Sequence, residues 1–102
     1  MDLSQNEWAA MHRSKKETIL LDVRTLEEYN QGHIPNAKLI DIQNPSNFLQ
    51  ELELLNPWKT YLVYCRSGAR SSQACILMKN KGIKNSFNLL GGIIQWKGEI
   101  VT

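Results

Sequence analysis

Hydrophobic positions along the chain follow two periods that alternate. Ser4-Gln5-Asn6-Glu7 has the S-x-x-E form of a capping box, in which Ser4 and Glu7 each satisfy an orphan amide. It predicts a helix over residues 5–13 with Trp8, Ala9 and Met11 toward its inner side. Thr18 to Val23 is short, apolar and β-branched at both ends, and reads as a buried strand. Thr25-Leu26-Glu27-Glu28 is a second capping box and predicts a short helix ending at Gly32. Ala37 to Ile42 is strand-like. Asn44-Pro45 places a cap residue before a proline at the first helical position, and Phe48, Leu49, Leu52 and Leu55 follow at helical spacing up to Asn56-Pro57. Thr60 to Tyr64 is the clearest strand signal. Arg70 to Lys81 reads as a helix with Ala74, Cys75, Leu77 and Met78 as its apolar stripe and Gly82 as its stop. Ser86 to Leu90 is a last strand, and Gly91-Gly92 leads into a short helix around Ile93, Ile94 and Trp96.

Strands separated by helices need crossover connections. They imply an α/β fold with a mostly parallel sheet covered on both faces. Ligands of such sheets bind beyond the carboxyl ends of the strands. The residues at those ends are Arg24, Gln43, Cys65 and Gly91-Gly92.

Composition narrows the choices. A length of 102 residues fits one domain over 1–102. Twelve Lys and Arg against ten Asp and Glu leave a formal charge of +2, too balanced for a nucleic-acid binder. Two cysteines are too few for a disulfide scaffold or a four-cysteine zinc site, and no metal site is expected. Met1 to Arg13 lacks the apolar core of a secretory signal, and no run approaches the length of a membrane span. The expected setting is the cytoplasm, with no membrane contact.

The stretch after the clearest strand carries the chemistry. Cys65-Arg66-Ser67-Gly68-Ala69-Arg70 must turn the chain from strand into helix N-terminus. Gly68 gives the backbone freedom for that turn. Successive amides in such a turn form an anion-binding nest, reinforced by the helix dipole. Arg66 and Arg70 bring positive charge beside Cys65. All of these favour thiolate over thiol, so Cys65 is the candidate nucleophile rather than a small buried hydrophobe at a strand end.

Cys65-Arg66-Ser67-Gly68-Ala69-Arg70-Ser71 resembles the active-site loop of single-domain rhodaneses. Leu21 to Tyr29 through Gly32-His33-Ile34-Pro35-Asn36-Ala37 resembles that family's first signature, and Leu89 to Trp96 its C-terminal one. The likeness runs in order over nearly the whole chain. It implies the rhodanese-like three-layer fold, a sheet of four to five strands between helices. It also implies sulfur transfer: the loop cysteine takes a sulfane sulfur from an anionic donor such as thiosulfate, sulfite leaves, and a persulfide passes the sulfur to cyanide or a thiol. A thiol-bearing protein is one such acceptor. On this resemblance Cys65 is catalytic, and Arg66, Ser67, Gly68, Ala69 and Arg70 bind the substrate through their amides and the two arginine side chains. No cofactor is implied. Asn36 stands where the family has a second glycine, and asparagine tolerates the positive φ of that turn.

Other residues have competing readings. Asp22 and Arg24 form either an internal ion pair or a device that orients the loop, and the ion pair is the simpler. Ser71 is counted with them as supporting the site. His33 reads as a turn residue rather than a base, and His12 as a solvated residue near a helix end. Cys75, on the helix stripe, reads as core filling rather than a resolving thiol. Trp8, Trp58 and Trp96 read as packing residues, with Trp96 nearest the site rim. A cysteine-dependent phosphatase or arsenate reductase needs one more residue between cysteine and arginine. A non-catalytic binding or redox-sensing module is the remaining alternative.

Overall fold

The computed structural model describes residues 1–14 and 17–102. Among them, in chain order, are β1 (Asp2–Leu3), α1 (Gln5–Ser14), β2 (Thr18–Asp22), α2 (Leu26–Gln31), β3 (Lys38–Leu39), α3 (Pro45–Glu53), β4 (Thr60–Tyr64), α4 (Ala69–Asn80) and β5 (Asn85–Leu89), followed by a 3-10 turn over Ile93–Gln95. The five strands form one sheet in the order β1-β5-β4-β2-β3, parallel throughout. The central register pairs Thr18 with Thr60 and Asp22 with Tyr64, so β2 and β4 end level.

Alternation along β4 divides the core in two. Tyr61, Val63 and Cys65 face a cluster with Phe48 and Leu52 of α3 and Ala74, Cys75 and Met78 of α4. Leu62 and Tyr64 face the other way, onto Trp8 of α1, Ile34, Ala37 and Leu89. Both faces are therefore covered, as a parallel sheet requires.

The helix boundaries follow the caps. Ser4 Oγ accepts the Glu7 amide while Glu7 Oε1 accepts the Ser4 amide, and α1 begins there. Thr25 and Glu28 make the same reciprocal pair at α2, which ends at Gly32. Asn36 adopts φ +69°, as its tolerance of the left-handed region allows.

Three expectations change. β1 escapes the hydrophobic pattern because a two-residue strand has no period to detect. The strand expected over 37–42 is regular only at Lys38–Leu39. It is an edge strand, and beyond it the chain keeps single bonds, Ile40 N–H to Asp22 O and Ile42 N–H to Val23 O, within a turn closed by Asn44 N–H to Asp41 O. Trp58 is 81% exposed and packs into neither cluster, because it lies in the turn between Pro57 and β4.

Tyr64 ties the two ends of the first signature to the sheet. Its hydroxyl accepts the buried Ile34 amide at 3.1 Å. Burial, with the Asp22 carboxylate close by, pushes its phenol well up from the ordinary value, so it stays neutral. Tyr64→Phe leaves that amide without a partner and is expected to cost about 1–3 kcal/mol in denaturant unfolding. A loss below about 0.5 kcal/mol would mean that water replaces the hydroxyl.

Candidate active site

Cys65 directly follows β4 at the carboxyl edge of the sheet, and α4 opens four residues later. The loop between them is short enough that its amides fold back on the sulfur. Gly68 N–H donates to Sγ at 3.1 Å, and the Ser71 hydroxyl lies 3.3 Å from it. Gly68 occupies the left-handed region at φ +109°, and its carbonyl accepts the Ser72 amide to start α4.

The Gly91-Gly92 turn holds the loop from outside. Ile93 N–H donates to Cys65 O at 2.9 Å and Ile94 N–H to Arg66 O at 3.1 Å. With these carbonyls drawn outward, the amides that follow face the sulfur. The approach is so close that a Cβ on Gly92 would sit 2.2 Å from Arg66 O. Only glycine fits there.

Burial penalises a charge on Cys65. The Ser71 hydroxyl and the amides of Ser71, Gly68 and Ser67 outweigh that penalty and hold the thiol below its ordinary value. Cys75 has no such cradle, and burial pushes its thiol up. It sits in the core beside Ala74 and Met78, as its place on the helix stripe suggests.

Of the three arginines around the loop, two are paired among the described residues and one is not. Asp22 and Arg24 form a buried bidentate pair, with Arg24 Nη2 2.7 Å from Asp22 Oδ2, and Arg24 also donates to Gly32 O at 2.7 Å. This is the internal ion pair, and it anchors the end of α2 to the end of β2. Arg70 grips Glu28 through two bonds of 2.7 and 2.9 Å. The resemblance has Arg70 attract the anionic donor alongside Arg66; here its charge is shared with Glu28. Arg66 is exposed, forms no ion pair among the described residues, and lines a cavity of about 280 Å³ with Arg24, Glu28, Gly32, Ile93 and Ile94. Arg70 lines a separate groove of about 400 Å³ with Ile42, Pro45, Phe48 and Leu77, so the Arg70–Glu28 pair stands between the two. Ala69 is the first residue of α4 and is exposed.

Trp96 does not lie at the rim. Its ring packs edge-on against Trp8 at 5.4 Å, with the cluster on the face of the sheet away from Cys65. The 3-10 turn rotates it there, beside Pro35 and Asn36. His33 stacks on Tyr29 and its Nδ1 lies 3.0 Å from Tyr29 O, which fits a turn residue. Among the described residues no group of three or more His, Cys, Asp or Glu side chains could hold a metal ion. No helix among them is long and apolar enough to cross a membrane.

Two neighbours of the site went unread in the sequence. Glu28 looked fully occupied as a capping residue. Asn88 is a buried amide near the carboxyl end of β5, and a polar residue inside an otherwise apolar strand at the ligand edge was its signal.

The fold and the cysteine loop define an α/β domain with one anion-cradled cysteine. A family model for the rhodanese-like domain matches residues 4–99, and the chain belongs to that family. It is 38% identical to a sulfurtransferase of Allochromatium vinosum over 82 residues, covering 79% of this chain and 73% of that one. It is 33% identical to YtwF of Bacillus subtilis, which carries a provisional sulfurtransferase name, over 102 residues, covering 97% and 95%. A crystal structure of a rhodanese-like domain protein from Staphylococcus aureus superposes with a TM-score of 0.81 at 31% identity, covering 96% of this chain and 92% of that one. The relatives named sulfurtransferase place the chain with that kind of enzyme.

The Arg70 grip, opposed by burial and helped by Thr25, lowers the Glu28 carboxyl to about 2. A depressed carboxylate adds stability above its unfolded value and loses it as pH falls through the folded one. Glu28→Gln is therefore expected to cost about 1 kcal/mol near neutrality. The difference from wild type should shrink below the unfolded value of 4.5 and vanish near 2. A difference that does not change with pH in unfolding titrations would contradict this.

Proposed function

We propose that this protein is a sulfurtransferase that carries a sulfane sulfur on Cys65. The observation behind the proposal is the cradle: three amides and one hydroxyl converge on a single buried sulfur at the N-terminus of α4. A nest of this size suits one more sulfur atom better than a phosphoryl group.

The Cys65 thiolate attacks the outer sulfur of thiosulfate. The new S–S bond forms as the bond to the sulfonate group breaks, and sulfite leaves with the electron pair. Charge balances, because a thiolate and a dianion become a persulfide anion and sulfite dianion. Ser67, Gly68 and the first residues of α4 present amides to the terminal sulfur, and Arg66 attracts the donor from the cavity mouth. A thiophilic acceptor, cyanide or a thiolate, then attacks the terminal sulfur and releases the Cys65 thiolate. A persulfide donor enters the same step with a thiolate as leaving group. A thiol-bearing protein is an acceptor of the same chemistry. We read residues 1–102 as one domain working in the cytoplasm, where both cysteines stay reduced.

Incubation with thiosulfate is expected to add one sulfur atom to the intact mass. The adduct should disappear on adding cyanide and never form in Cys65→Ser. Absence of an adduct with thiosulfate and with glutathione persulfide alike would overturn the proposal. A sulfur retained in Cys65→Ser would move it to another residue.

A further inference from the structure

The Ser71 hydroxyl has one hydrogen and two acceptors in reach, Cys65 Sγ and Asn88 Oδ1. Which acceptor takes it follows from the Asn88 amide. Its Nδ2 donates to Asp2 Oδ1 at 3.0 Å and to Gly68 O at 3.1 Å. A carboxylate and a carbonyl only accept, so the NH₂ must face them and the carbonyl oxygen must face Ser71. Turning the amide over would set oxygen against oxygen twice. Asn88 and Ser71 are both buried.

With Asn88 Oδ1 fixed as an acceptor, the Ser71 hydrogen points to it while Cys65 is a thiol. The S–H then uses Ser71 Oγ as its own acceptor. Once Sγ is charged, it is the stronger acceptor and draws the hydrogen to itself. Asn88 Oδ1 is then left in the core without a donor, at a cost. When Sγ is bonded to an outer sulfur it carries no charge, and the hydrogen returns to Asn88. No proton leaves Ser71 in this cycle; the hydroxyl only rotates. We propose that Asn88, locked by Asp2 and Gly68, is a positioning residue that competes with the bare thiolate for the Ser71 hydrogen and so favours the sulfur-loaded state. The loaded half of this assignment rests on the function proposed above, whereas the thiolate half does not.

The charges facing the loop are Arg66 and Arg70 from the loop and α4, Glu28 from α2, Asp22 and Arg24 from the end of β2, and Asp2 from β1. Ser71→Ala and Asn88→Ala alter none of them. The test is the rate of Cys65 alkylation by iodoacetamide across pH, with buried Cys75 as an internal control. Below the inflection, Ser71→Ala should slow alkylation about fivefold, and Asn88→Ala should quicken it about threefold. The double variant should match Ser71→Ala, since Asn88 acts only through that hydroxyl. General damage to the loop would move both singles the same way, toward slower reaction. Slower alkylation in Asn88→Ala, or equal quickening with and without Ser71, would overturn the assignment.

If Asn88→Ala does not fold, Asp2→Asn on exposed β1 replaces it. It loosens the lock, so it should quicken alkylation more with Ser71 present than in Ser71→Ala. An equal effect in both backgrounds would mark lost charge alone and overturn the assignment. At a fixed ratio of thiosulfate to sulfite, Asn88→Ala should also lower the ratio of loaded to free enzyme about threefold. If wild type accepts no sulfur, the function fails while alkylation still decides the role of Asn88.

Discussion

Two backbone hydrogen bonds, from Ile93 N–H to Cys65 O and from Ile94 N–H to Arg66 O, turn the cysteine loop toward its own sulfur. Carbonyls and amides alternate along a chain, so drawing the carbonyls out presents the amides that follow inward. Without this clamp the loop carbonyls would be free to face Sγ and oppose a negative charge there. The clamp in turn depends on Gly92, where no side chain has room. The parallel register matters as much: β4 and β5 run side by side, so their carboxyl ends bring the Cys65 loop and the Gly91-Gly92 turn together. A turn at the end of one strand thereby shapes the loop at the end of its neighbour.

The positive charge is more restricted than the count of arginines suggests. Arg24 is committed to Asp22, and Arg70 to Glu28. What most stabilises charge on Cys65 is dipolar, from amides, one hydroxyl and the start of α4, with the paired Arg70 adding a smaller attraction. Dipoles fixed by backbone bonds need no reorganisation as charge develops on Sγ. Arg66 is exposed at the cavity mouth and has no ion-pair partner among the described residues.

Much of this was legible in the sequence because its signals were local. The capping boxes at Ser4 and Thr25 and the helix stripe ending at Gly82 depend on near neighbours in the chain, and the elements appear where those signals lie. The parallel sheet followed from the alternation of strands and helices, and the cysteine loop from its place after the clearest strand. What escaped was settled between distant residues. Arg70 meets Glu28 across 42 positions, and Asn88 meets Asp2 across 86. Neither pairing leaves a trace in local spacing. Trp96 was drawn toward the site by its closeness in sequence to Gly92, but a single 3-10 turn sends its ring to the other face. The irregular course after Leu39 reflects an edge strand, where one neighbour instead of two enforces the pleat.

The loop amides stabilise the charged sulfur more than the neighbouring Arg70 does. The most direct measurement is a pH titration of the amide proton and nitrogen resonances of Ser67, Gly68 and Ser71 alongside the Cys65 β-carbon. All four should move together through one inflection below the ordinary thiol value, with the amide protons shifting downfield as the thiolate forms. Cys65 titrating at or above the ordinary value, or titrating while these amides stay still, would contradict the account.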